Sequence, residues 1–201
     1  MRDDHYPPGS VSALLNTDSV TPQTRDVLIG RLERKKILSP SFFDKDIFIT
    51  LQCVCERLLP QPGRENKIDL AGSLDEMLNE GKGNGWRYNE MPPDNEAFIK
   101  GMQGIDETSK LMFDAAFIQI NVTQQDKVLT SIQKNIAPGK TWKTIPANLF
   151  FEELLAQIVE IYYSHPEAKE EIGEVAFADA KGWQKIGLNE LEAWEPKAIN
   201  K

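Results

Sequence analysis

Residues 81–88 read GKGNGWRY, with three glycines in five positions. A glycine-rich turn is one way for a chain to bring backbone N–H groups against a phosphate. The dinucleotide form of that turn needs G-x-G-x-x-G between a strand and a helix. Here the spacing is G-x-G-x-G, a helical pattern precedes it, and no helix start follows directly. The stretch therefore reads as a helix C-terminus running into a flexible turn, with Gly81 at the position that favours a left-handed residue. PGKT at 138–141 looks like the end of a phosphate loop, but the place five residues before the Gly-Lys pair, where that loop needs glycine, is held by Lys134. It reads as a turn with a solvated lysine.

The other reactive side chains form no constellation. Cys53 and Cys55 lie two apart, about 200° apart on a helix, so they cannot share a metal ion or a disulfide. Cys55 falls on the apolar face with Leu51 and Leu58 and reads as a core thiol. Cys53 lies opposite, as a surface thiol or in a subunit contact. The two histidines are His5, in a polar segment, and His165, beside Pro166 at a helix end where a partial positive charge suits the dipole. There is no H-E-x-x-H, nucleophile elbow or His/Cys cluster. Asn121-Val-Thr123 fits a glycosylation sequon and reads more simply as a helix cap. The adjacent pairs Glu152-Glu153 and Glu170-Glu171 diverge on a helix and read as solvated faces. No catalytic, cofactor-binding or metal-binding residue is assigned. Trp86, Arg87 and Tyr88 remain. Their types are enriched at binding hot spots, so they either anchor a partner or form a satellite core with Arg87 stacked on a ring.

The elements that must position these residues are helical. Thr21-Pro22 opens a helix expected to run to about Lys36. DKDIFITLQCVCERLLP is strongly amphipathic, with Ile47, Phe48, Leu51, Val54, Cys55, Leu58 and Leu59 on one face. Asp69 caps a helix with Leu70, Leu74, Met77 and Leu78 as its stripe, and another helix starts near Asp94 with Phe98, Met102 and Ile105 inward. Thr123-Gln-Gln-Asp126 resembles a capping box, and Ala137-Pro138-Gly139 stops the helix it opens. IPANLFFEELLAQIVEIYYSHP is the most hydrophobic helix. Its Phe150, Phe151, Leu154, Leu155, Ile158 and Ile161 form one face, and Val159 and Tyr163 widen it to about two thirds of the circumference. A helix that broad is central in a bundle or shared with a partner. Alternating β-branched runs are absent. The expected fold is all-α, an irregular bundle of five or six helices in a single domain over 1–201. It divides into an N-terminal arm (1–20), a helical body (21–165) and a mostly irregular tail (166–201) that lies on the body or on a partner.

Bulk properties narrow the function. The chain of 201 residues is 40% hydrophobic, which suits a soluble globular protein. Its net charge of −8 argues against nonspecific nucleic-acid binding, which depends on neutralising phosphates. No apolar stretch approaches membrane-spanning length, so direct membrane insertion is not expected. MRDDHYPPGSVSALLN carries neither a signal-like apolar run nor a twin arginine. The expected location is cytoplasmic, or periplasmic if the chain is exported with a signal-bearing partner.

The phrases IVEIYYSHP and ADAKGWQKIGLNELEAWEP, the loop LNEGKGNGWRYNEMPPD, and LQCVCERLLPQ resemble the gluconate 2-dehydrogenase subunit 3 family, the small subunits of sugar dehydrogenases, from about Tyr6 to Pro196. The resemblance implies a non-catalytic accessory subunit paired with a large flavoprotein of the glucose-methanol-choline type. FAD is expected in that partner and no cofactor in this chain. In some systems a cytochrome subunit passes the electrons on. The small subunit then supports folding, stability or export of the large one, and the complex acts on CH–OH groups of sugars or sugar acids. Under this reading Trp86, Arg87, Tyr88, Tyr163, His165, Trp183 and Trp194 are the expected partner-binding residues. Two other functions stay open: a self-sufficient oxidoreductase with His165, Tyr162 or Tyr163 in a pocket with a perturbed carboxylate, and a chaperone that binds the flavoprotein transiently.

Overall fold

The computed structural model describes residues 6–83, 88–179 and 182–199. They contain seven α-helices: α1 (Pro22–Leu32), α2 (Lys45–Leu58), α3 (Leu70–Asn79), α4 (Asp94–Phe113), α5 (Val122–Gln133), α6 (Ala147–Ser164) and α7 (Pro166–Glu171). No strand occurs among the described residues. The all-α expectation therefore holds. The count exceeds the expected five or six by α7, a six-residue helix too short to show an apolar stripe in the sequence.

Local signals set the helix ends. Thr21 accepts the Thr24 N–H, and Pro22 occupies the first helical position of α1. The helix stops at Leu32 rather than Lys36, because Glu33, Arg34, Lys35 and Lys36 offer no apolar side chain to bury. Asp69 caps α3 through the Gly72 N–H. Gly81, at φ 65°, ends it with paired bonds from Lys82 N–H to Met77 C=O (3.0 Å) and from Gly81 N–H to Leu78 C=O (3.2 Å). The capping box of α5 is formed by Asn121 and Gln124, not by Thr123 and Asp126. The asparagine of the sequon is thus the cap. The same helix closes at Asn135, at φ 55°, before Pro138-Gly139 is reached, since asparagine tolerates the left-handed conformation.

The chain divides into two compact units. The larger comprises Lys36–Gln61 and Asp69–Ile161. In it α2 packs against α3, α4 and α5, and α4 against α5. Phe48, Leu51, Val54 and Cys55 of α2 are buried. Phe150 and Trp142 sit over bare stretches of α4: a Cβ at Gly101 would overlap the Phe150 ring, and one at Gly104 would come within 2.6 Å of the Trp142 ring. Phe98 meets Phe150 edge-on at 6.1 Å. Trp142 Nε1–H donates to Thr108 Oγ1 at 2.7 Å, and the Thr108 hydroxyl donates to Pro138 C=O at 3.0 Å. Asp75 is fully buried and accepts from the backbone N–H groups of Ser41, Phe42 and Phe43 at 2.6, 3.1 and 2.9 Å.

The smaller unit comprises Met1–Lys35, Pro62–Ile68 and Tyr162–Lys201. Its core gathers Val11, Leu15 and Val20 from the arm, Leu28 from α1, and Val175 and Phe177 from the tail, with Trp194 packed against them. The arm and the tail, neither able to bury itself, cover each other. Glu170 of α7 fastens the arm. Its carboxylate accepts the N–H groups of Gly9 (2.7 Å), Val11 (3.2 Å) and Ser12 (3.0 Å) and the Ser12 hydroxyl (3.0 Å). This corrects the reading of Glu170 as a solvated carboxylate: the residue is buried and its partners lie some 160 positions away.

Candidate partner-binding surfaces

The sequence-expected residues fall into different surroundings. Trp86 and Arg87 lie outside the described residues. The Tyr88 hydroxyl donates to Glu152 at 2.7 Å, and that bond holds the phenol proton and raises its pKa. Glu152 is exposed as expected, but Glu153 is buried and accepts from Gln157 Nε2 at 3.0 Å. Tyr163 is partly exposed and meets Tyr162 edge-on at 5.0 Å. Trp183 and Trp194 stack with centroids 6.4 Å apart; Trp183 faces outward while Trp194 packs on the core of the smaller unit.

His165 does not serve the C-terminus of α6. Its Nδ1 accepts the Glu167 N–H at 3.3 Å and caps α7, while Nε2 lies 3.1 Å from the Arg31 carbonyl. The pair of contacts fixes the neutral tautomer with its proton on Nε2. Burial pushes the imidazole below its usual value; Glu167 opposes the shift and Arg64 adds to it. The cation at the end of α6 is Arg31, whose Nη1 donates to Ser164 C=O at 2.8 Å. A positive imidazole at the N-terminus of α7 would instead meet the dipole with the wrong sign.

Of the residues an independent active site would use, Tyr162 and His165 bond within the fold and Tyr163 is exposed, while Arg64, Glu167 and Glu171 line an open pocket of about 310 Å³. The Tyr162 hydroxyl donates to the Glu171 carboxylate at 2.8 Å. Arg64 is buried, pairs with Glu167 and Glu171, and lies 5.7 Å from the centroid of the Tyr162 ring. Cys55 is buried, and desolvation pushes its thiol well up. Cys53 is half-buried, accepts from Gln125 Nε2 at 3.1 Å, and is likewise raised by burial. Among the described residues no group of three or more His, Cys, Asp or Glu could hold a metal ion. The PGKT turn does bind an anion, but one from its own chain. The N–H groups of Lys140 and Thr141 donate to Glu107 at 2.9 and 3.0 Å and hold its carboxyl below the usual range.

The larger unit carries a mainly apolar groove of about 650 Å³, which runs between α2, α4 and residues 116–118. Ile47, Ile49, Met102, Leu111 and Ile118 line it, and Ile49, Leu111 and Ile118 are exposed. Of its rim charges, Asp106 is tied to Lys110 (2.6 Å) and to the Phe117 N–H (2.9 Å), and Glu107 to the PGKT turn. Asp46, also on the rim, is exposed, so the groove offers aliphatic contact area with one carboxylate at its edge. Sequence reasoning missed it because Leu111 and Ile118 lie off the buried stripes and meet α2 only in the folded chain.

The described residues define an all-helical protein with an apolar groove on its larger unit and an open pocket lined by Arg64, Glu167 and Glu171 on its smaller one. The chain belongs to the gluconate 2-dehydrogenase subunit 3 family, whose model matches residues 46–189. Neither the curated proteins nor the solved structures yield a match.

Proposed function

We propose that this chain is a non-catalytic accessory subunit that binds and stabilises a large FAD-dependent dehydrogenase of the glucose-methanol-choline type, acting on CH–OH groups of sugars or sugar acids. The observation that carries the reading is family membership across residues 46–189. The apolar groove supports it, because aliphatic side chains rimming a concave surface are what a partner subunit covers. FAD belongs in the partner. A dinucleotide cradle needs a glycine turn between strand and helix, and here Gly81 closes helix α3 instead.

The test is co-expression of the large dehydrogenase with and without this chain. With it, the yield of soluble, flavin-loaded large subunit rises several-fold, and the chain co-purifies. A Leu111→Asp/Ile118→Asp variant, which places charge in the groove, reduces both. Equal yield of flavoprotein in the absence of the chain, with no co-purification, would overturn the proposal. Release of the chain after loading would favour the transient chaperone.

A further inference from the structure

Residues 33–36 read ERKK and follow directly on α1. All four are exposed and none is helical. Neither Lys35 nor Lys36 makes a hydrogen bond or an ion pair among the described residues. Two basic residues on other exposed turns differ in that their backbone is bonded. The Lys140 N–H donates to Glu107 at 2.9 Å, and on the tail loop the Lys185 N–H donates to Glu192 at 2.7 Å. Bonding resumes at Ile37, whose N–H donates to Asp69 at 2.7 Å. The division between the two compact units falls in the same place, between Lys35 and Lys36.

The chain upstream of this stretch is held in the smaller unit by more than its covalent link. Val11, Leu15, Val20 and Leu28 share a core with Val175 and Phe177. Glu170 binds the arm through three backbone N–H groups and the Ser12 hydroxyl. The Thr21 and Thr24 hydroxyls donate to Asp179 at 2.7 and 2.6 Å, and Arg31 donates to Ser164 C=O at 2.8 Å. Proteases nick backbone that is exposed and free of hydrogen bonds, and consecutive basic residues suit one that reads a cationic side chain. We propose that residues 34–36 are a processing site, where a protease of basic specificity hydrolyses the bond after Arg34 or Lys35, and that the upstream piece stays seated after the cut. Water adds across the peptide bond, leaving a carboxylate on the upstream piece and an ammonium on the downstream one. Both charges form at exposed positions, so neither is desolvated. The arm and α1 become a bound peptide, which the smaller unit can release with no further cleavage.

The experiment is limited trypsin digestion of the full chain, in buffer and in urea below the unfolding transition, followed by mass spectrometry and size exclusion of the products. The cut after Arg34 or Lys35 proceeds in buffer, and its rate, corrected for trypsin's own response to urea, changes by less than about twofold, because no helix has to open. The two pieces co-elute. An Arg34→Gln/Lys35→Gln/Lys36→Gln variant loses this cut while keeping the other cuts and the wild-type circular dichroism. In Glu170→Ala the upstream piece binds about a hundredfold more weakly on dilution, as expected for three stranded donors. A cut at this stretch that appears only at urea concentrations that also open α4, or no cut there at all, would overturn the processing site. Pieces that separate in the wild type would overturn the seating, and equal retention in Glu170→Ala would overturn Glu170 as its fastening.

Discussion

In the larger unit, aromatic rings close on glycines: Phe150 over Gly101 and Trp142 over Gly104. In the smaller unit, carboxylates gather the irregular segments through backbone N–H groups, Glu170 on the arm and Glu192 on the tail loop, a device the larger unit keeps for its connections, where Asp75 holds residues 41–43 and Glu107 the turn at 140–141. The first arrangement suits long amphipathic helices, which bring their own apolar faces. The second suits segments too short or too polar to form a stripe, such as residues 6–20 and 172–199, which an ionised side chain can gather by satisfying several donors at once. The family match begins at residue 46, beyond the arm, and spans nearly all of the larger unit and part of the tail.

This contrast can be broken at single residues. The largest effect is expected at Glu170→Ala, which strands the donors of Gly9, Val11 and Ser12 and costs about 3 kcal/mol. Hydrogen exchange should show amides 9–15 losing protection while those of α4 keep theirs. Loss spread evenly over both would mean that the arm is not fastened where Glu170 holds it. Gly101→Ala is expected to cost about 2 kcal/mol in chemical denaturation, since overpacking against Phe150 outweighs the roughly 1 kcal/mol that alanine gains in a helix. A stabilised variant would show that the ring yields freely. The smallest effect is a pH dependence at His165. Its folded-state pKa lies below the usual 6.5, so the unfolded chain binds the extra proton first. The stability it contributes is complete above pH 6.5 and falls as the pH drops through the folded value. His165→Asn, which keeps a cap acceptor without titrating, should flatten denaturation midpoints between pH 7.5 and pH 5.5, about one unit either side of the usual value. An equally steep fall in both proteins would assign the titration elsewhere.

Legibility in the sequence followed the same division. The caps Thr21 and Asp69 and the stop at Gly81 could be read because donor and acceptor lie within a turn of each other, whereas the capping box of α5 was placed two residues late, on Thr123 instead of Asn121. The buried stripes of α2 and α6 could be read because helical periodicity is local. Glu170 could not, since an acidic residue in EAKEEIG is indistinguishable from its solvated neighbours until the arm is folded onto it. His165 was legible as a helix-end residue but not as the start of α7, because two helices meet there and only the tertiary contact with the Arg31 carbonyl settles its tautomer. The loop at 183–194 was legible through its tryptophans, which are conspicuous by type.

The most direct test of the subunit reading is purification of the tagged chain from its native host, with an absorption spectrum of the eluate. The account predicts a large co-purifying chain with flavin bands, active on a sugar or sugar acid with an artificial electron acceptor. A colourless, monodisperse single chain from cells that contain the flavoprotein would contradict it.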